Sequence, residues 1–337
     1  MGRYLLKRLA IVPLLLIGIV TITFAVTRLT PADPLVTIVG ARNVGNPVIV
    51  DAAKRRWGLD KSVPQQYVLY LERLAHGDLG TSFQTRSPVT TDLRQRLPAT
   101  LELTIVALLF GVSTGVVLGV VAARGRNKLI DHVARFFALL GSSLPAFWAA
   151  LVFLYIFYAR LGWLPGPGRL DPRAIAPARV TGFLTIDSVL AGNWSALWDA
   201  IRHLILPAVV LGWGVTGIVT RLVRASLLDE LGSDYVRTAR AMGIPERSII
   251  GSQALRNAML PTITIAGFSF AYLITGAVLV ETIFSWPGVG SYAVDAARRL
   301  DYPAIMGVSL LGGIAFLLTN LATDVTYAVA DPRIRLS

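Results

Sequence analysis

Six stretches of this chain carry no charged residue and are long enough, or nearly so, to cross about 30 Å of hydrocarbon at about 1.5 Å per residue. They are Leu9–Thr27, Leu103–Ala123, Phe136–Ala159, Leu204–Thr220, Ala258–Val280 and Pro303–Thr323. Such runs read as transmembrane helices, so the expected fold class is an all-α membrane protein with six transmembrane helices. The fourth run has 17 residues, holds Pro207, and is expected to extend past His203 and Arg221. Composition agrees. Hydrophobic residues make up 54% and charged residues only 15%, against about 25% charged in soluble domains.

There is no cysteine, which excludes disulfides, thiolate nucleophiles and Cys-based zinc sites. The net charge is +12, and 28 of the 32 basic residues are Arg. They gather at the ends of apolar segments rather than in one stripe with aromatics, so no nucleic-acid partner is expected. Snorkelling and orientation in the lipid bilayer account for most of them.

Arg3, Lys7 and Arg8 precede the first run, as in a signal peptide. Its exit, Thr27-Arg28-Leu29-Thr30-Pro31, has no small-x-small cleavage site, so it reads as a retained signal anchor. With the N-terminus placed in the cytoplasm, the inside segments hold 15 Lys/Arg in 70 residues and the short outside loops 7 in 66. That bias favours both termini inside. In the long 28–102 loop, Pro64–Leu74 places Tyr67, Tyr70, Leu71 and Leu74 at helical spacing, and the turn-prone Gly77-Asp78-Leu79-Gly80 follows. Loop 160–203 opens on Pro165-Gly166-Pro167-Gly168, and its Leu190, Trp194, Leu197 and Trp198 suit a membrane–water interface. Both loops either pack over helix ends or receive a partner.

Between the fourth and fifth runs lies a polar island, DYVRTARAMGIPERSIIGSQALRNAMLP, from Asp234 to Pro261. Ser233 or Asp234 can cap a helix there. Tyr235, Ala239 and Met242 share one face at i, i+4, i+7, and Arg237 and Arg240 share another. Gly243 fits the left-handed position that ends a helix, with Pro245 two residues on. Pro245 and Glu246 can then start a second helix running toward Asn257. A helix of about nine residues is marginal in water, so something must hold it. Ala239, Ala241 and Gly243 leave room for another backbone. The island is a docking surface for another protein, or else an amphipathic helix lying on the inner leaflet.

Tyr235-Val236-Arg237-Thr238-Ala239-Arg240-Ala241-Met242-Gly243-Ile244, followed by Ala254-Leu255-Arg256-Asn257-Ala258 and Leu260-Pro261, resembles the EAA loop of bacterial ABC importer permeases. More narrowly, it resembles the B-type transmembrane subunit of the dipeptide/oligopeptide permease family. The generic pattern has Glu where Arg237 stands and Ala where Thr238 stands, and its Gly-to-Pro spacing is shorter than the 18 positions here. Both departures belong to the peptide branch. Trp57-Gly58-Leu59-Asp60, Gly77-Asp78-Leu79-Gly80-Thr81-Ser82, Pro88-Val89, Leu97-Pro98-Ala99-Thr100-Leu101-Glu102-Leu103 and Val280-Glu281-Thr282-Ile283-Phe284-Ser285-Trp286-Pro287-Gly288-Val289-Gly290 agree in order and spacing. The likeness runs from the first span to Asp331-Pro332-Arg333.

The resemblance implies a type I ABC importer transmembrane fold with both termini cytoplasmic. Residues 1–29 form the first helix and the cytoplasmic N-terminus, and 30–99 an extracytoplasmic loop region. Residues 100–330 form a five-helix core with the cytoplasmic coupling loop 221–257, and 331–337 a cytoplasmic tail. Implied partners are a second permease subunit in a heterodimer, two cytoplasmic ABC ATPase subunits and an extracytoplasmic substrate-binding protein. Tyr235 through Ile244 are implied as the ATPase-docking coupling helix, with Leu260 and Pro261 closing the loop. Cargoes in this family are di- and oligopeptides, and in some relatives glutathione or nickel complexes.

No G-x-x-x-x-G-K-[ST] is present, and none of the four lysines follows glycine. This chain therefore offers no cofactor site, and ATP and Mg would be bound by the partner ATPases. No H-E-x-x-H or G-x-S-x-G points to an enzyme. Glu102, Glu281 and Asp324 sit at span edges, where capping or loop pairing is expected of them. A self-contained secondary transporter would instead need ionisable groups in mid-membrane and internal repeats. Gly141-Ser142-Ser143 with Pro145 reads as a kink with tight packing. Gly111, Gly115 and Gly119, at i, i+4, i+8, read as a helix-packing face.

Overall fold

A computed structural model describes residues 2–29, 35–40 and 42–330. The tail 331–337, with Asp331, Pro332 and Arg333, lies outside them, as do the side chains of Arg3, Lys7, Arg8, Leu260 and Asp324. The described residues are helical, with one isolated β-bridge, Thr81 to Pro88. In order, the helices are α1 (Gly2–Leu29), α2 (Leu35–Val39), α3 (Pro47–Trp57), α4 (Val63–Ala75), α5 (Val89–Arg124), α6 (Leu129–Ser143), α7 (Ala146–Phe153) and α8 (Leu184–Leu190). Then come α9 (Trp194–Leu231), α10 (Asp234–Ala241), α11 (Glu246–Ser248), α12 (Leu255–Ala258), α13 (Leu260–Gly276), α14 (Val278–Ile283), α15 (Val289–Arg298) and α16 (Tyr302–Ala330). Leu154–Arg160 and Ile249–Ala254 are π-helical.

Four helices contain a window long and apolar enough to cross a membrane: Ile11–Leu29, Val89–Arg124, Trp194–Leu231 and Tyr302–Thr323. Two bent pairs bring the number to as many as six, Leu129–Ser143 with Ala146–Arg160 and Glu246–Ala258 with Pro261–Ile274. The expected extension of the fourth span is present, since α9 runs 38 residues. The expected third span, Phe136–Ala159, differs from a kinked rod: its halves meet at 107°. Leu144 precedes Pro145 and takes an extended conformation (φ −80°, ψ 132°), the conformation that a following proline favours over the helical one.

The chain forms two compact units. One comprises residues 1–100 and 287–317. In it, Tyr70 of α4 is buried with Val20, Phe24, Met306 and Leu310, and Tyr67, Leu71 and Leu74 pack against this cluster. These are the four residues that the helical spacing predicts for one face. Gly77 and Gly80 take positive φ (76° and 84°), and the Asp78 carboxylate accepts from the Gly80 N–H at 2.8 Å, which forms the expected turn. Asp301 accepts from the Ser82 hydroxyl at 2.5 Å, and Asp92 from the Tyr292 hydroxyl at 2.9 Å.

The other unit comprises 101–286 and 318–337. Its axis is α9, which buries small and β-branched residues against α5 and α6. A Cβ on Gly111, Gly115 or Gly119 would come within 2.6–2.8 Å of Gly212 O, Val219 Cβ or Val223 Cβ, so only glycine lets the backbones meet here. A Cβ on Gly141 would stand 2.3 Å from the Trp213 ring. Glu102 does pair with a loop. It accepts from Arg169 and from both the N–H and the hydroxyl of Thr185, at 2.8 and 2.6 Å. The same loop is stitched by Asp187, which accepts from Thr181 and Gly182. Burial opposes its charge, but these bonds outweigh burial and hold the carboxyl below the ordinary range.

Candidate functional site

At the end of α9 the chain leaves apolar sequence and folds into a hairpin with α10 as its first arm. Ser233 is the capping residue by backbone conformation (φ −72°, ψ 158°), but its hydroxyl donates back to Glu230 O at 2.6 Å. The cap is therefore one of geometry, without the expected side-chain acceptor. Met242 follows the helix, and Gly243 takes φ +77°. This is the left-handed residue the sequence calls for, and it reverses the chain into Pro245 and the second arm.

The second arm is not one regular helix. It opens with α11, passes through the π-helical Ile249–Ala254 and ends in α12. Ile249, fully buried, packs on Val236 and Ala239, with Leu231 and Ile244 around them. Further along, Ile250, Ala254 and Ala258 close on Leu227 and Ala123. The hairpin is thus anchored on the ends of α5 and α9. A helix too short to persist alone is held by tertiary contacts.

Burial on α10 does not follow the shared face of Tyr235, Ala239 and Met242. Val236 and Ala239 are buried, while Met242 is 68% exposed and Tyr235 38%. The second arm contacts the side that carries Val236, and this pulls the buried stripe off the i, i+4, i+7 set. Arg237, Thr238, Ala241 and Met242 are left on the exposed surface, with Gly243 at the tip. Pro261 is exposed as well.

Polar bonds fix the exposed face. Arg240 pairs bidentately with Glu246, Nη2 to Oε1 at 2.7 Å and Nε to Oε2 at 3.1 Å, and its Nη1 reaches Leu231 O at 3.4 Å. The Arg240 guanidinium holds the Glu246 carboxyl below its ordinary value. Arg237 pairs with Asp234 at 3.1 Å, and the Thr238 hydroxyl donates to Asp234 O at 3.0 Å. The Tyr235 hydroxyl donates to Glu230 Oε2 at 2.5 Å, and the Asn257 amide donates to Tyr235 Oη at 3.3 Å. Partial burial and the Glu230 carboxylate push the Tyr235 phenol up. Glu230, Glu246 and Asn257 thus position the expected site residues without belonging to them. The signal for Glu246 was its place six residues after Arg240 across a glycine–proline turn. Asn257 stood in the Ala254–Ala258 segment that carries the family resemblance, whereas nothing local pointed to Glu230.

Behind the hairpin, a second arrangement pins α6 to α9. Asp131, with no exposed surface, receives Arg224 Nε and Nη2 at 2.7 and 2.8 Å, Arg135 Nε at 3.1 Å and the Asn127 N–H at 3.0 Å. This is the bidentate geometry in which a desolvated guanidinium–carboxylate pair is strongest.

Helices of membrane length around a structured polar hairpin define a multi-pass helical membrane protein. The chain belongs to the family of binding-protein-dependent transport system inner membrane components, whose profile matches residues 115–336. The profile of that family's N-terminal region matches residues 1–104. The resemblance to ABC permeases read from the sequence is borne out. The probable D,D-dipeptide transport system permease protein DdpB of Escherichia coli K12 is 43% identical, covering 95% of this chain and 94% of that one. The di/tripeptide transport system permease protein DppB of Pseudomonas aeruginosa UCBPP-PA14 is 42% identical over 99% of both. The dipeptide transport system permease protein DppB of E. coli K12 is 40% identical over 99% of both. Among solved structures, the inward-facing MetNI methionine ABC transporter is a looser likeness, with TM-score 0.49 at 16% identity, covering 69% of this chain and 93% of that one.

Proposed function

We propose that this chain is one of two different membrane subunits that together form the path of an ATP-driven importer of di- and oligopeptides in the bacterial cytoplasmic (inner) membrane. In this reading it crosses six times with both termini in the cytoplasm, in a type I importer fold. Residues 30–99 are extracytoplasmic, 100–330 form the five-helix core, and 221–257 are the cytoplasmic coupling loop. A separate binding protein delivers the peptide, and two cytoplasmic ATPases bind ATP and Mg.

The observation that carries this is the hairpin. It is fastened to α5 and α9 by buried side chains, yet it turns Arg237, Thr238, Ala241, Met242 and Gly243 outward. A surface so built suits a rigid lever seated on another protein. Tyr235 through Ile244 would sit in a groove of one ATPase, with Leu260-Pro261 beginning the next span. For ATP to drive transport, the lever's contacts must differ between the two ATPase states, since a ligand shifts an equilibrium only by its differential affinity. Peptide cargo is supported by the names of the relatives, which align with this chain over nearly its whole length.

The test uses the assembled importer in proteoliposomes, comparing wild type with Gly243→Arg. A side chain at Gly243 would meet no neighbour, and its left-handed backbone strains only the turn, by about 1 kcal/mol, so the variant is expected to insert normally while coupling to the ATPase is lost and ATP-driven peptide uptake falls to background. Uptake should also survive ionophores that collapse ion gradients. Wild-type uptake by the variant would rule out the lever, and uptake abolished by ionophores alone would point to a secondary transporter.

A further inference from the structure

A cavity of about 400 Å³ opens where α1 ends and α16 begins, walled also by α3, α4 and the turn at Asp78–Thr81. All of its lining belongs to one compact unit. Its size falls in the range of small-molecule sites. Part of the wall is aromatic, formed by Phe24, Trp57, Tyr70, Phe83 and Tyr302. Three cations are set into it, Arg28, Arg56 and Arg73. The Arg28 guanidinium lies 5.4 Å from the Phe24 ring centre and 5.0 Å from that of Tyr302, and Arg56 lies 5.8 Å from that of Trp57. Against them stands one carboxylate, Asp78, whose Oδ1 is already engaged by Gly80.

Ring faces hold a guanidinium in place without neutralising it. No carboxylate among the described residues pairs with any of these three arginines. The same wall carries buried polar atoms with no hydrogen-bond partner: two donors, the Tyr70 hydroxyl and Arg28 Nε, and one acceptor, Gln66 Oε1, which suits a donor group on the ligand's body. Tyr70 is only 8% exposed, and burial pushes its phenol up to about 12, so it remains an O–H donor at ordinary pH. A buried donor left unpaired is costly. An excess of cations, an orphaned donor and an apolar wall converge on one ligand chemistry.

We infer that this cavity binds a small organic anion, a carboxylate or a phosphate ester carrying an apolar body. The anion bridges Arg28 and Arg73 and accepts from Tyr70, and the apolar part lies on the aromatic wall. The planar guanidinium fork matches carboxylate and phosphate oxygens. Two sources offer this chemistry. One is a dissolved carboxylate such as a peptide terminus. The other is the phosphate of a phospholipid, because α1 and α16 bring the cavity to the end of two membrane-length helices.

The experiment titrates the purified full chain in neutral detergent, by calorimetry and native mass spectrometry. The probes are N-acetyl-leucine, its uncharged amide and a short-chain phosphatidylglycerol. Saturable one-to-one binding is expected for at least one anion and not for the amide. Binding of the carboxylate alone identifies a dissolved ligand, and binding of the phospholipid alone a headgroup. Arg73→Gln, at an exposed side chain, is expected to weaken binding about tenfold, the loss of one charge-assisted hydrogen bond. Tyr70→Phe, which removes one oxygen and keeps the ring, should weaken it several-fold. Failure of both anions to saturate, or unchanged affinity in both variants, overturns the inference.

Discussion

Gly115 and Gly243 lie in the same compact unit and answer opposite demands. A Cβ at Gly115 would stand 2.7 Å from Val219 Cβ, whereas at Gly243 it would meet nothing within 4 Å. Gly115 is there for closeness and has an ordinary helical backbone. Gly243 is there for its φ of +77° and has space where a side chain would stand. The α5–α9 contact therefore spends its small residues on partners within the chain, with Val219 and Val223 fully buried. The hairpin uses glycine to turn a corner and leaves Ala241 and Gly243 facing outward, while Ala239, Ala254 and Ala258 pack inward. Small side chains mark either a closed seam or an open surface. Burial, which sequence spacing does not report, tells them apart.

The largest effect is expected in the seam. Gly115→Leu must displace Val219 or separate the helices, at a cost above about 3 kcal/mol, seen as aggregation or a strongly lowered unfolding temperature in detergent. Asp131→Ala comes next. It leaves Arg224 beside an emptied, buried site at a cost of about 3 kcal/mol, and unfolding should again report it. Gly243→Ala belongs to the other class. A left-handed backbone costs a non-glycine residue about 1 kcal/mol, so the global midpoint should hardly move while amide exchange in 234–258 quickens about fivefold. A global drop as large as that of Gly115→Leu would erase the distinction between seam and surface.

The smallest effect concerns Arg240 and Glu246, a half-exposed pair worth about 0.5 kcal/mol and sensitive to salt. Because the folded carboxyl titrates below its ordinary 4.5, the pair contributes fully above that value and fades as pH falls through the lowered one. Once exchange is normalised to the intrinsic rate at each pH, the protection of hairpin amides should therefore fall about twofold on acidification in wild type and not in Glu246→Gln. Equal pH dependence in both would show that the pair does not hold the arms together.

Much of this was readable in advance where one periodicity or one backbone requirement decides the matter. Tyr67, Tyr70, Leu71 and Leu74 face one cluster because a helix allows them no alternative. Gly243 ends its helix because few residues other than glycine accept that φ at little cost. The packing side of α10 was not readable, because Val236 and Met242 are both apolar and the choice between them falls to Ile249 in the other arm. Proline announced a break after Ser143. Its angle of 107° depends on how the halves lie against α9, where the Trp213 ring covers Gly141. Pairing of Asp131 with Arg224 joins positions 93 residues apart, beyond the reach of any local pattern.

That last separation has a consequence for how the chain is made. At roughly 5 to 20 residues per second, Asp131 leaves the ribosome about 5 to 20 seconds before Arg224. During that interval the aspartate meets the membrane edge with Arg135 at its side but without its principal counter-ion. The link between α6 and α9 therefore closes late and in one event, once the fourth apolar segment has been delivered. A chain interrupted before residue 224 would lack the guanidinium that pairs with this carboxylate in the finished protein.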